Sequence, residues 1–346
     1  SVLDGFTIRN GSALSGFDGG GGIRCGWSSS PTIVNCVIED NEAYIGGGIL
    51  CYESAAPYIG NCLIRNNHAR ENPPMGGGGG IASYHYSGQT IENCTIVGNT
   101  AFENGGGIAV NEGDSVTVVN SIIWGNTAYH GSQLSLWWGT PSVTLSVSYS
   151  AVQGGEGDVH YYECSGGGCV LNWGFGNTVA DPLFVTGPLG DHYLNQAGPC
   201  INSGSGTAVS RGLDTATTDT NHIGDTGTVD MGFHCPVLSR INLLSPASAS
   251  VLSSAPHLDW TADGHTTNGF VVAFYLFGIN PFWQTAFSTY DFGGQFIPWE
   301  GWEMPSSLWS AIPSQTYVVW WVVGLDANRS PISTVNSDEY GWFQKQ

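Results

Sequence analysis

Positive charge is what this sequence most lacks. Eight Lys and Arg stand against 28 Asp and Glu, a formal net charge of −20, and no basic residue occurs between Arg70 and Arg211. Nucleic acid and anionic lipid are held by basic patches, so neither is an expected partner. Charge of either sign is scarce, at 10% of residues where roughly a quarter is usual, which leaves the surface to Ser, Thr, Asn, Tyr and Gly. Long apolar runs are missing too: none approaches the roughly 18 residues of a membrane-spanning helix. No Cys-x-x-Cys-His or Cys-x-x-Cys spacing occurs, so covalent haem and a zinc ribbon are not suggested. Helical periodicity is nowhere sustained. The sequence opens Ser1-Val2-Leu3-Asp4 inside a strand pattern, with no initiator Met or leader, and reads as a processed or partial chain.

Glycine, by contrast, is abundant, at 51 of 346 residues, and there are nine Cys. Cysteine-rich, Lys-poor composition suits an extracellular or cell-surface setting, and the odd count leaves at least one thiol without an intrachain partner. The glycines are periodic. Gly-Gly-Gly-Ile recurs at Gly20–Ile23, Gly46–Ile49, Gly78–Ile81 and Gly105–Ile108, offsets of 26, 32 and 27. A second block, in which Cys36, Cys62, Cys94 and Ser121 follow Asn35, Asn61, Asn93 and Asn120, keeps those offsets, as does Asn-x-Ala at Asn41, Asn67, Asn99 and Asn126.

A repeat this short cannot bury its apolar face alone, so successive coils must stack at about 4.8 Å with equivalent positions in columns. The expected architecture is all-β, a right-handed parallel β-helix with Ile38, Ile64, Ile96 and Ile123 inside. Asn35, Asn61, Asn93 and Asn120 form an expected ladder at a bend, their amides bonding to the next coil. Cys36, Cys62 and Cys94 share one column, and Cys25 and Cys51 another. Neighbouring coils lie within disulfide reach, so these thiols are either bridged or buried as small hydrophobes. Cys164 with Cys169, around Ser165 to Gly168, is the best local disulfide candidate, and Cys200 with Cys235 a further one.

These blocks resemble the secreted right-handed β-helix repeat proteins of bacteria, including the polymorphic outer-membrane-protein type. Tyr149 to Gly155, Ala180-Asp181-Pro182-Leu183-Phe184-Val185, Gly198-Pro199-Cys200-Ile201 and Val229-Asp230-Met231-Gly232 are similar to that family's closing signature. Residues 1–187 are thus expected to be the β-helix and 188–235 its closing extension.

Beyond Cys235 the glycine repeats stop. Strand patterns at Ile241–Leu244, His257–Thr261, Phe270–Phe277, Thr316–Leu325 and Glu339–Gln344 predict a β-sandwich over 236–346. With Pro305 to Trp309 and Tyr317 to Trp321 this segment resembles fibronectin type III-like domains of bacterial secreted proteins. Two of its strands are apolar at both parities, so Phe270, Val272 and Phe274 with Val319, Trp321 and Val323 form a candidate assembly face.

Candidate sites are few. Asp214, Asp219, Asp225 and Asp230 form a candidate Ca²⁺ loop, although Ile223 breaks the EF-hand pattern; the alternative is a solvated acidic turn. No other cofactor is suggested. Sequons at Asn10 and Asn328 are candidate glycosylation sites, while Asn93, in the ladder, should be inaccessible. Trp299, Trp302 and Trp309 either stack on sugars or pack in the core. No acid–base or nucleophile–base constellation can be named, so the expected function is non-catalytic: an extracellular structural protein self-assembling head to tail as a homo-oligomeric filament or layer. The alternative is a monomeric adhesin or glycan-binding protein, and a polysaccharide lyase or hydrolase ranks below both.

Overall fold

The computed structural model describes residues 1–14, 19–70, 77–138, 141–164, 168–187, 190–220, 223–236, 240–246, 250–263, 270–277, 284–288, 302–325, 331–336 and 341–346. They form two compact units, Ser1–Pro236 and Val237–Gln346. The first unit coils into a parallel β-helix of about six turns. Each turn contributes one short strand to each of several parallel sheets. The first sheet runs from Val2–Asp4 through Thr32–Val34 and Tyr58–Gly60 to Cys169–Trp173, and the second from Thr7–Arg9 through Val37–Glu39 and Leu63–Arg65 to Ala151–Val152.

Register is one residue above its equivalent at every step. Ile64 lies between Ile38 and Ile96, which in turn stands beside Ile123. All four are fully buried, and with Ile33, Ile59 and Ile91 from the first sheet they fill the interior. The corners are set by backbone conformation. Gly20, Gly46, Gly78 and Gly105 each take positive φ, between 61° and 77°, which a side chain tolerates poorly. Asn35, Asn61, Asn93 and Asn120 take the left-handed conformation at the other bend, φ 46° to 54°, where Asn is the most tolerant alternative.

A second buried polar ladder runs inside the coils. Asn41, Asn67, Asn99 and Asn126 point inward from the Asn-x-Ala block, and each is at most 5% exposed. Asn41 Nδ2 donates to Asn67 Oδ1 (3.0 Å), Asn67 to Asn99 (2.9 Å) and Asn99 to Asn126 (2.9 Å); Asn126 Nδ2 then donates to Gln133 Oε1 (2.8 Å). Each amide also donates to a strand carbonyl, Ile8, Ile38, Ile64 or Ile96. Buried amides in a low-dielectric interior must be satisfied in this way or destabilise the fold.

The cysteine column forms no bridges. Cys36, Cys62 and Cys94 are free and buried, and each thiol donates to the carbonyl two residues back (3.1 to 3.3 Å). Ser121 and Ser150 continue the column with the same bond at 2.9 Å, and Cys94 N donates to Ser121 Oγ. Cys25 and Cys51 are paired in register and also free. Cys164 and Cys169 are disulfide-bonded, Cα–Cα 5.2 Å.

Among its described residues the second unit is built of β-strands and one short helix, Ser306–Ala311. Arg240–Ser245, His257–Asp263 and Trp302–Glu303 make an antiparallel sheet. A second, mixed sheet contains Phe270–Phe277, Tyr317–Leu325 and Gly341–Lys345, the last also pairing in parallel with Ser250–Leu252. Leu258 and Trp260 from the one sheet and Phe270, Val272, Phe274, Val318, Trp320, Val322 and Phe343 from the other share a core.

This pairing corrects the candidate assembly face. Antiparallel partners share a face, and Val272 stands opposite Val322 and Phe274 opposite Trp320, all in the core. Val319, Trp321 and Val323 occupy the opposite, partly exposed face, so the six residues do not form one surface. Trp309 is in the core and Trp302 packs against it; Trp299 and Asn328 lie outside the described residues.

Candidate functional site

The second sheet carries apolar residues on its outer face as well as its inner one. Val37, Leu63 and Ile122 point away from the interior, yet Leu63 and Ile122 are buried. Their cover is the segment following the coils, which crosses back over the coils as a strap. Leu194, Cys200 and Met231 pack on Ile122 and Ala151; Tyr193, Phe233 and Cys235 pack on Leu63. Gly232, with φ 91°, sits so close that a Cβ there would meet Ile122 Cδ1 and Thr95 Oγ1, each at 2.7 Å.

The strap is hydrogen-bonded to the left-handed Asn bends. Asn120 Nδ2 donates to the Ser205 carbonyl, Asn93 Nδ2 to that of Asp230 and Asn61 Nδ2 to that of His234. In return Asn120 Oδ1 accepts from Ser205 N (2.7 Å) and Asn61 Oδ1 from His234 N (2.7 Å). Between coils, bonds join Asn61 to Asn35 and Asn120 to Asn93. The Asn bends therefore hold the strap as well as one another. Asn93 is 2% exposed and unreachable as a sequon, whereas Asn10 is exposed at a bend with φ 58°.

Two arginines at the strap are held in ion pairs with glutamates of the coils. Arg211, presented by the four-residue helix Ala208–Arg211, is paired with Glu92, to which Tyr58 also donates. Arg65 is paired with Glu39 and lies 3.4 Å from His192 Nδ1. Burial, with Arg65 beside it, pushes His192 down to about 4. Arg65 and His192 line a cleft of about 530 Å³ that also takes in Phe6, Asn35, Asn61 and Thr215.

The most concentrated chemistry lies inside the strap. Asp225, Asp230 and His234 are buried, with one ligand atom from each lying within 4.8 Å of the others. His234 Nε2 is 2.9 Å from Asp225 Oδ2, and its Nδ1 is 3.0 Å from the Gly232 carbonyl. Asp230 accepts from Asn202 N and the Thr218 hydroxyl, and Asp225 Oδ2 accepts from Asp230 N. Burial, followed by the Asp225 charge, raises the Asp230 carboxyl against the pull of these donors. An adjoining cavity of about 100 Å³ is lined by Asn202, Asp219, Asp225, Thr226 and Asp230 among others.

Of the four acids expected to bind Ca²⁺, the structure brings Asp225 and Asp230 together and places Asp219 on the cavity wall. Asp214 is exposed and is not among the three clustered groups, because the chain reverses after it to pair Ala216–Thr217 with Cys235–Pro236. The third member is His234, which lies outside the loop pattern that singled out the acids. The Cys200–Cys235 disulfide is also overturned: both thiols are free. Cys200 sits over the Ile122 coil and Cys235 over the Leu63 coil, two steps of about 4.8 Å apart, beyond the reach of a bridge. Burial pushes the Cys200 thiol up to about 12.

No curated protein and no solved structure shows significant similarity to the chain. The family model described as right handed beta helix region matches residues 4–212. With its coils and registers in agreement with that match over more than half its length, the chain belongs to the right-handed β-helix family.

Proposed function

We propose that this chain is a non-catalytic structural protein of an extracellular surface, self-assembling head to tail into a filament or layer. The observation that carries the reading is how the chain uses its charges. Glu39–Arg65, Glu42–Arg70 and Glu92–Arg211 are each spent on a tie between coils or between a coil and the strap. Acid–base catalysis needs such groups placed on one substrate position, for which side chains held in these three ion pairs are poorly disposed. Trp27, Tyr129, Phe175 and Ile223, each more than 60% accessible, are exposed apolar side chains that association could cover. In the same reading the second unit is a fibronectin type III-like sandwich, supported by its two sheets sharing a core.

Sedimentation velocity over a range of concentrations tests this. The reading expects a growing population of large species, with no turnover of neutral or acidic glycans in the presence or absence of Ca²⁺. A single monomeric boundary at all concentrations, or turnover of any glycan, would contradict it. A second reading, a glycan-binding adhesin, is favoured by the cleft of about 530 Å³ that places the exposed ring of Phe6 beside the polar side chains of Asn35 and Thr215. It expects a monomer that binds glycan and loses that binding on Phe6→Ala.

A further inference from the structure

We propose that Asp225, Asp230 and His234 bind a divalent transition-metal ion, of the Mn²⁺ or Zn²⁺ class, that pins the strap to the coils. Four observations on the chain converge on it, none involving the assembly or adhesion readings.

The donor set is one imidazole and two carboxylates, all buried and all reaching one point. Ca²⁺ takes oxygen ligands almost alone, so the imidazole selects against it, while mixed nitrogen and oxygen donors suit first-row metals. The His234 ring is fixed in the manner of a metal ligand. Its Nδ1 faces the Gly232 carbonyl at 3.0 Å, a bond it makes only as a donor, so Nε2 is turned towards the carboxylates. Such second-shell carbonyl bonds orient metal-binding histidines.

Spacing agrees. With bonds of about 2.1 Å, adjacent ligands of one ion lie roughly 3.0 Å apart in an octahedron and 3.4 Å in a tetrahedron. Nε2 and Asp225 Oδ2 are already 2.9 Å apart, and an Asp230 oxygen lies within 4.8 Å of both, so the ion would draw Asp230 in to complete the set. The adjoining cavity of about 100 Å³ has room for the water that fills the remaining positions, at roughly 30 Å³ each.

Charge completes the case. Two carboxylates meet in one buried site, with Asp219 on the wall of the adjoining cavity. Arg65 and Arg211 are engaged by Glu39 and Glu92. A divalent ion with neutral imidazole and two carboxylates is balanced. The ion would hold residues 225, 230 and 234 together while Asn93 and Asn61 hold Asp230 and His234 to the coils.

The test uses the full chain, stripped with EDTA and returned to metal-free buffer. Mn²⁺ is the probe because it competes poorly for the seven free thiols. Free Mn²⁺ is read by its paramagnetic resonance signal and thermal unfolding by circular dichroism. One ion bound per chain, a rise of several degrees in Tm, and at least tenfold weaker binding in His234→Gln are expected. Should His234→Gln fail to fold, Asp230→Asn carries the same expectation. An undiminished free-ion signal with unchanged Tm would overturn the site, leaving a hydrogen-bonded cluster only. Undiminished binding in both variants, or an equal Tm response to Ca²⁺, would also overturn it, as an adventitious ion on an acidic surface.

Discussion

At the scale of single residues, the column Cys36–Cys62–Cys94–Ser121–Ser150 shows what each position needs: a small group that donates to the carbonyl two residues back and accepts from the coil before. Cys94→Ser should therefore cost less than about 1 kcal/mol, whereas Cys94→Val, which cannot accept from Cys62 N, should cost about 1–3 kcal/mol in urea unfolding. Asp114 offers a pH-dependent counterpart. Burial pushes its carboxyl up to about 8, against the opposing pull of Ser83 and the Ser87 and Asn111 amides. In the unfolded chain it titrates near 3.9. Between these values the folded state binds a proton the unfolded state lacks, so stability falls as pH rises through that window. The loss from pH 5 to pH 8 should be on the order of 3 kcal/mol, visible as a declining urea midpoint, and Asp114→Asn should flatten the decline.

At the scale of elements, the strap and the inner Asn ladder divide the work of holding coils in register. Asn67→Ala would strand the amide of Asn41 and the Ile38 carbonyl in the interior, a loss of roughly 2–4 kcal/mol by thermal or chemical unfolding. Gly232→Ala meets both positive φ and two atoms at 2.7 Å. It should cost about 1–3 kcal/mol and speed proteolysis within 200–236, because the strap lifts before the coils unwind. The coils were legible in sequence because stacking makes Ile, Asn and Cys recur at one offset. The strap's role was less legible, since its contacts, Asn61 with His234 or Glu92 with Arg211, span more than a hundred residues and follow no period. The apolar outward positions Val37, Leu63 and Ile122 were the available signal that something covers that sheet. His234 escaped notice because an acid-spacing pattern counts carboxylates and the strap's backward run decides which of them meet. The mixed assembly face failed at a strand apolar at both parities, where the alternation that separates two faces is lost.

At the scale of the whole molecule, a net charge of −20 opposes the association that exposed aromatic side chains favour. Screening shortens that repulsion to about 8 Å at physiological salt, so assembly should strengthen as NaCl rises from low concentration to 0.15 M; a fall instead would point to charge-paired contacts. Cryo-electron microscopy of the concentrated full chain at that ionic strength is the most direct test of a structural role. Unbranched filaments with one chain per axial repeat are predicted, their subunits meeting head to tail. A field of separate particles of single-chain mass would contradict the account.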